Sequence, residues 1–404
     1  MINGRTIICI ANCWDYDPTS KHQVMKVLAR RNQIIWVNYR GSRRPQASVA
    51  DVTAAVSTLR AVVCGARRVS DSIIQVTPLV IPGAQCRGLR ALNEHLLVAQ
   101  IRRVLARLPA AAGGPVQLWT FAPDVSFLAG RFDEECLLYY CVDEYTAFED
   151  FDDRAVGAAE RRLIEQADLV VTTSAALYES KQRLHPRTFL VRHGVEVDHF
   201  AAAANRELPL PRDVADLPRP LFGFFGLIHH WFDLDLLAAV ARARPAYSFV
   251  LLGDCLVHAG DLTALPNVHL LGRRDYQDLP AYCSAFDVAL LPFRINEMTR
   301  NINPIKLREY LAAGLPVVST PLPEVLAYEP DVLTAEDGDS FCRQCDRALT
   351  VNDGQARRRR STRLAGESWE AVVERLGEIV GSFAKSKSQT VEQSKKCGLG
   401  VLTG

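Results

Sequence analysis

NINPIKLREYLAAGLPVVST, residues 301–320, is the stretch from which the rest of the chain can be read. Asn303 is a favoured N-cap residue, and Pro304 then falls at the first helical position, where its missing N–H costs nothing. IKLREYLAA continues as helix, Gly314 is placed to end it in a left-handed conformation, and LPVVST follows as a short apolar strand. A helix start seats anions, because its first N–H groups are unpaired and the positive end of the dipole faces outward. Arg300 and Lys306 flank this start. Glu309 lies on the turn after Lys306, where a carboxylate can accept two hydroxyl hydrogens. Cation, bare amides and acceptor carboxylate on one short element suit a sugar nucleotide, with diphosphate at the helix tip and ribose diol on Glu309. The plainer alternative is an amphipathic helix whose Lys306 and Glu309 pair on the surface, worth on the order of a few tenths of a kcal/mol.

NPIKLREYLAAGLPVVST, followed by Pro323-Glu324, resembles the C-terminal signature of glycosyltransferase family 4, the glycosyl transferases group 1. The likeness is to the branch acting in bacterial polysaccharide and teichuronic-acid synthesis. The family's Glu-x7-Glu is met at Glu309, which the resemblance implies binds ribose; Asn301 stands where the first Glu, near the transferred sugar, would be. VRHGVEVDHF, residues 191–200, is similar to the family's Asn-Gly-Val-Asp-x-x-x-Phe, with His193 and Glu196 replacing Asn and Asp. The resemblance implies an α/β protein of GT-B fold: two Rossmann-like domains facing a central cleft, and a C-terminal helix crossing back to the first. It also implies retaining transfer from a nucleotide sugar, UDP- or GDP-linked, to a glycan or lipid-linked acceptor. No cofactor is implied beyond that substrate.

Family members place an Arg and a Lys shortly after the first strand of the second domain to hold the diphosphate. Here that loop reads GLIHHWFDLD, residues 226–235. Gly226 ends the strand, and His229, His230 and Trp231 stand in place of the cations. The substitutes are Arg300, Lys306 and the amides at Asn303, with His229 or His230 as neutral donors. Arg273, after a later strand, is a candidate for base or phosphate contact or else a surface arginine.

Composition sets outer bounds. At 404 residues the chain exceeds one core, so two domains and a tail are expected. Hydrophobic content of 48% and charged content of 23% describe an ordinary globular protein, and a net charge of +1 gives no reason to expect nucleic-acid binding. No apolar run reaches transmembrane length, and MINGRTIICI enters a strand at once without a signal peptide. Eleven cysteines at irregular spacing fit reduced, buried thiols in the cytosol; Cys342 and Cys345 form a lone Cys-x-x-Cys more simply read as packing than as a zinc or redox site.

Taken in order, TIICI, a helix over 21–31 and QIIWVN open a β-α-β unit with apolar runs too continuous for a half-exposed sheet. No Gly-x-Gly-x-x-Gly follows the first strand, which argues against a dinucleotide-binding dehydrogenase. Its loop carries Trp14, Asp15 and Tyr16, suited to sugar hydroxyls and faces. Residues 41–72 stay unassigned. A helix over 89–108 ends in Arg102, Arg103 and Arg107, either a solvated face or a contact with the inner face of a membrane. VQLWTF and CLLYYCV are further strands. Asp143 and Glu144, beyond the second, are the acidic catalytic or acceptor-positioning candidates, with capping of the next segment as the alternative. The expected organisation is an acceptor domain 1–200, a proline-containing linker 201–220, a donor domain 221–365, a crossing helix 366–383 and a disordered tail 384–404.

Breaking an anomeric C–O bond leaves negative charge on a diphosphate, which needs fixed donors and cations or a metal. Asp233 and Asp235 form a nominal Asp-x-Asp, but one that opens a predicted helix, and residues 150–153 read as a solvated acidic turn, so a metal-free reaction is expected. A catalytically silent, nucleotide-binding relative is the second reading, on account of Asn301 and the lost cations.

Overall fold

The computed structural model describes residues 2–16, 18–39, 65–79, 87–108, 114–148 and 152–398. They divide into two compact units: the described residues up to Val191 together with those from Val372 onward, and Arg192–Ala371.

In the first unit the apolar runs become β1 (Thr6–Ala11), β2 (Gln33–Asn38), β3 (Ala66–Ser70), β4 (Ile73–Val76), β5 (Val116–Thr120), β6 (Cys136–Cys141), β7 (Leu169–Thr172) and β8 (Thr188–Leu190). Every residue of β1 and β6 is buried, because helices cover both faces of a parallel sheet. The order is β3-β4-β2-β1-β5-β6-β7-β8, parallel throughout except that β3 runs antiparallel to β4. Winding reverses between β1 and β5, the point at which open α/β sheets leave a crevice beyond their carboxyl ends.

The second unit repeats the plan with β9 (Leu221–Phe225), β10 (Ser248–Leu252), β11 (Val268–Gly272), β12 (Val288–Leu291), β13 (Val317–Ser319) and β14 (Val332–Thr334). Its order is β11-β10-β9-β12-β13-β14, all parallel, with the reversal between β9 and β12. Phe222, Phe224, Phe249, Leu251 and Leu290 lie in its core.

Two expectations about the joints need correction. Residues 201–220 are not a free linker: Ala203 and Val214 enter the second core, Phe200 stacks on Phe225 at 6.1 Å, and Arg206 and Arg219 both bind Asp287. Arg357, buried without a carboxylate, donates to the carbonyls of Ala203, Ala204 and Ala313, and its burial pushes its pKa down to about 9. Nor is the tail disordered from 384: the last helix, Trp369–Gly398, continues past Val380, and residues 399–404 lie outside the described residues. Val373, Leu376 and Val380 bury its apolar stripe, and after Gly381 residues 382–397 contain no proline and no glycine to interrupt the helix. Within the first unit Lys387 Nζ donates to the Glu135 carbonyl and Arg187 lies 5.4 Å from the Phe383 ring.

Candidate functional site

The chain leaves β12, forms a short helix Glu297–Asn301 capped by Asn296, and turns through an extended Ile302-Asn303-Pro304 into the helix Ile305–Ala312. Asn303 is not its N-cap, as expected from sequence; Pro304 holds that position and offers no capping side chain. The reason is that the Asn303 carboxamide is engaged elsewhere. Its oxygen accepts from Arg308 Nη1, and its Nδ2 donates to Glu324 Oε2 at 3.1 Å. Arg192 binds Glu324 at 2.7 Å, and Glu367 receives Arg308 Nε at 2.8 Å and the Tyr328 hydroxyl at 2.6 Å. The helix start is thus held in place by this network, while the N-cap residue itself supplies no side chain to the first-turn amides. Gly314 ends the helix at φ +77, and a side chain there would collide with the Arg357 carbonyl.

Lys306 and Gly226 are brought into contact. A Cβ at Gly226 would stand 1.9 Å from Lys306 Cε and 2.7 Å from its Nζ, and φ is +135, so both the backbone and the lysine stem require glycine. The same helix is tied to β9 by the Phe225 amide, which donates to the Tyr310 hydroxyl at 2.9 Å. Glu309 is buried. Burial lifts its pKa from 4.5 to about 7; Lys306 and the neighbouring Tyr276 pull it down, while Glu196 pushes it up. Tyr276 stacks on His199 at 5.0 Å and is pushed far above the usual phenol range by burial and then by the charges of Glu309 and Glu196. Sequence reasoning missed Glu196 and Tyr276 as site residues. Glu196 was visible as a departure in VRHGVEVDHF, whereas nothing local marks Tyr276.

The remaining second-unit candidates are more dispersed. His229 meets His230 through their Nδ1 atoms and stacks on Trp231 with centroids 4.7 Å apart. Arg273 is exposed. Arg300 is exposed too, lining a shallow hollow with Ile295, Pro321, Pro323 and Glu336. Asn301 Nδ2 donates to the Glu297 carbonyl at 2.7 Å, closing the short helix. Asp233 caps the helix Leu234–Ala243 through the Leu236 amide, and Asp235 binds Arg294 at 2.9 Å. Among the described residues no group of three His, Cys, Asp or Glu side chains is placed to hold a metal.

In the first unit Asp143 and Glu144 follow β6 but have different surroundings. Glu144 binds Lys181 at 3.0 Å and accepts the Thr146 hydroxyl at 2.7 Å; Lys181 also binds Glu160 at 2.8 Å, and Tyr139 donates to Glu160 at 2.6 Å. Asp143 is pushed up by burial, with Lys21 as the opposing charge, and Lys21 Nζ lies 5.9 Å from the Phe121 ring at the end of β5. Asp15 is taken up by Arg67 and Gln75, and Trp14 packs against His22 and Trp36. Asp152 caps the helix Asp153–Gln166, while Asp150 and Asp17 lie outside the described residues. Arg102 donates to the Arg131 carbonyl. Cys342 and Cys345 are buried in the second core, and no helix among the described residues is long and apolar enough to cross a membrane.

Residues 219–350 match the family described as glycosyl transferases group 1. Over 295 residues the chain is 25% identical to TuaH of Bacillus subtilis (strain 168), named for a glycosyltransferase of teichuronic acid biosynthesis; the match covers 68% of this chain and 74% of TuaH. Among solved structures, sucrose-phosphate synthase from Thermosynechococcus elongatus superposes with a TM-score of 0.67 at 17% identity, over 95% of this chain and 100% of that one. The α,α-trehalose-phosphate synthase (UDP-forming) from Burkholderia vietnamiensis gives 0.66 at 13% identity, over 96% and 99%. The chain has the GT-B fold, and the residues that match glycosyl transferases group 1 lie within its second unit.

Proposed function

We propose that this chain is a glycosyltransferase moving a sugar from a nucleotide-sugar donor, UDP- or GDP-linked, to a glycan or lipid-linked acceptor in polysaccharide biosynthesis. The observation that carries this reading is Glu309: a buried carboxylate one turn from Lys306, on a helix whose N-cap, Pro304, offers no capping side chain. A ribose diol donating two hydrogens would satisfy it, the diphosphate would lie at the helix start, and Lys306 would face the charge growing on the leaving group. The likeness to TuaH supports a polysaccharide product, and the likeness to a UDP-forming synthase supports a nucleoside diphosphate leaving group.

Retention without a metal is the mechanistic part of the proposal. Asp233 and Asp235 are already used in a cap and an ion pair, so leaving-group stabilisation falls to Lys306, the helix amides and His229, with Arg300 in a lesser, exposed position. In the first unit Asp143 is the better acceptor-positioning residue, since Glu144 is held by Lys181. Membrane contact, where the acceptor is lipid-linked, would use Arg103 and Arg107. A thermal-shift screen of UDP, GDP, ADP and CDP identifies the base, because a bound ligand stabilises by mass action. Glu309→Gln should then weaken the chosen nucleotide by roughly 1.5–3 kcal/mol in calorimetry; unchanged affinity with an intact fold would falsify the ribose assignment.

The second reading, a silent nucleotide-binding relative, is favoured by one observation: His229, His230 and Trp231 pack on one another in the loop where the resemblance calls for two cations. Assaying a panel of nucleotide sugars for hydrolysis and transfer separates the two, since a silent relative binds without turnover.

A further inference from the structure

Sequence and structure disagree at the start of the helix Ile305–Ala312. Asn303 followed by Pro304 is the pattern of an N-cap and a first helical residue, in which the Asn303 oxygen would accept from the amides of Ile305 or Lys306. Instead Pro304 stays extended at ψ 113, and the helix begins one residue later, at Ile305. The Asn303 oxygen accepts from Arg308 Nη1, and its Nδ2 donates to Glu324 Oε2 at 3.1 Å. Arg308 is itself buried at 1% exposure; its Nη2 has no hydrogen-bond partner among the described residues, and its guanidinium lies 5.4 Å from the Tyr328 ring.

A plain tie between elements does not need this arrangement. Glu367 already receives Arg308 Nε at 2.8 Å, and Arg192 already binds Glu324 at 2.7 Å, so both ion pairs would stand without the Asn303 carboxamide. Each is fixed from behind: the Val195 amide donates to the Glu367 carbonyl at 2.9 Å, and Glu324 lies in the short helix Pro323–Leu326 that follows β13. What engaging the carboxamide achieves is to take a capping oxygen away from the helix start. The helix forgoes a cap for it, and a buried N–H of Arg308 is left orphaned. Local rules broken in this way are expected at functional positions.

We propose that Arg308 and Glu324 are positioning residues that hold the Asn303 side chain off the first turn of this helix and so leave that turn open to a diphosphate. This rests on the donor-site reading above and deepens it. Asn303 and the diphosphate compete for one place, since a side-chain oxygen at the cap and a phosphate oxygen both accept from first-turn amides. A cap formed in the empty site would have to be displaced at every binding event. Arg308 holds the competing oxygen itself, and Glu324 holds the opposite end of the carboxamide, so the group cannot turn over to present its oxygen to the helix.

The test is calorimetry of UDP and GDP on the full chain, with uridine and guanosine as phosphate-free controls. Arg308→Met lets the Asn303 oxygen swing to the helix and should weaken the diphosphate about fivefold, the worth of a typical Asn cap, without moving the nucleoside. Adding Asn303→Ala to Arg308→Met removes the competing oxygen and should bring the affinity back to within about twofold of wild type. Hydrogen exchange at the Ile305 and Lys306 amides, read without ligand, should slow in Arg308→Met and recover in the double variant. Where Arg308→Met does not fold, Glu367→Gln, which loosens Arg308 from a partly exposed partner, should give the same pattern in smaller measure. If Asn303→Ala fails to restore binding, or weakens it further, the network only supports the helix; the inference then falls and the donor site stands. Failure of both UDP and GDP to bind the wild type removes the donor reading and this inference together.

Discussion

After β6, Glu144 and Glu160 share Lys181 at 3.0 and 2.8 Å, with hydroxyls of Thr146 and Tyr139 completing their hydrogen bonds. In the second unit Glu309 is opposed by burial, with Lys306 offsetting it and a second carboxylate, Glu196, adding to it. Burial is similar in the two places; compensation is not. Lys181 is held protonated above its ordinary range by Cys141, Glu160 and Glu144 although burial opposes it, whereas Glu309 is displaced to about 7. A compensated buried carboxylate fixes a fold, and an under-compensated one is poised for a ligand. The same contrast separates Asp143, whose opposing charge Lys21 makes no described ion pair with it, from its neighbour Glu144.

The largest effect that could break this comparison is on stability. Lys181→Met should leave Glu144 and Glu160 without their cation and cost roughly 3–5 kcal/mol by denaturant unfolding. A loss below about 1 kcal/mol would mean the cluster is solvated and the contrast is empty. Adding Glu160→Gln to Lys181→Met should recover part of the loss.

Next is the pH dependence of Glu309. Its folded pKa, about 7, exceeds the ordinary 4.5, so between these values the folded state binds more protons than the unfolded chain. Its contribution is fully present below pH 4.5 and is lost as pH rises to 7, by roughly 3 kcal/mol. Glu309→Gln should therefore flatten the stability profile over that window and gain on the wild type above pH 7. Identical profiles would show that Glu309 is as well compensated as Glu144.

Lys306→Ala should lower kcat and kcat/KM together by about 10²-fold, the loss expected for one donor to a developing anion. A rise in donor KM alone would assign it to uniform binding. The smallest effect is expected at Arg300, whose exposed side chain should contribute about twofold or less in kcat when replaced by Ala. A loss at Arg300 matching that at Lys306 would enlarge the site towards the hollow beside Glu336.

Much of the fold was legible because its signals are local. Continuous apolar runs marked β1, β2, β5 and β6 and, in the second unit, β9 and β13; the helix Leu234–Ala243 and the glycine stop at Gly314 follow from neighbours a few residues away. The helix Ile305–Ala312 was legible for the same reason, and with it the placement of Lys306 and Glu309 one turn apart on that helix. Asn303 was misread because a good capping residue next to a proline looks alike whether or not its side chain is drawn away. That depends on Arg308 and Glu324, and no local rule reports it. β3, β8 and β14 were missed because they are short edge or near-edge strands with too few residues for periodicity to register.

By itself, then, the sequence determined two parallel α/β units and the helix that carries the candidate site. Those properties depend on hydrophobic period and on residues within a turn of each other. Only the tertiary structure decided which acids are spent and which are poised. Lys181 reaches Glu144 and Glu160, and the charge of Glu196 is felt by Glu309, across long separations in sequence. The cost of a buried charge is set by those partners and by excluded water, neither of which exists until the chain has folded.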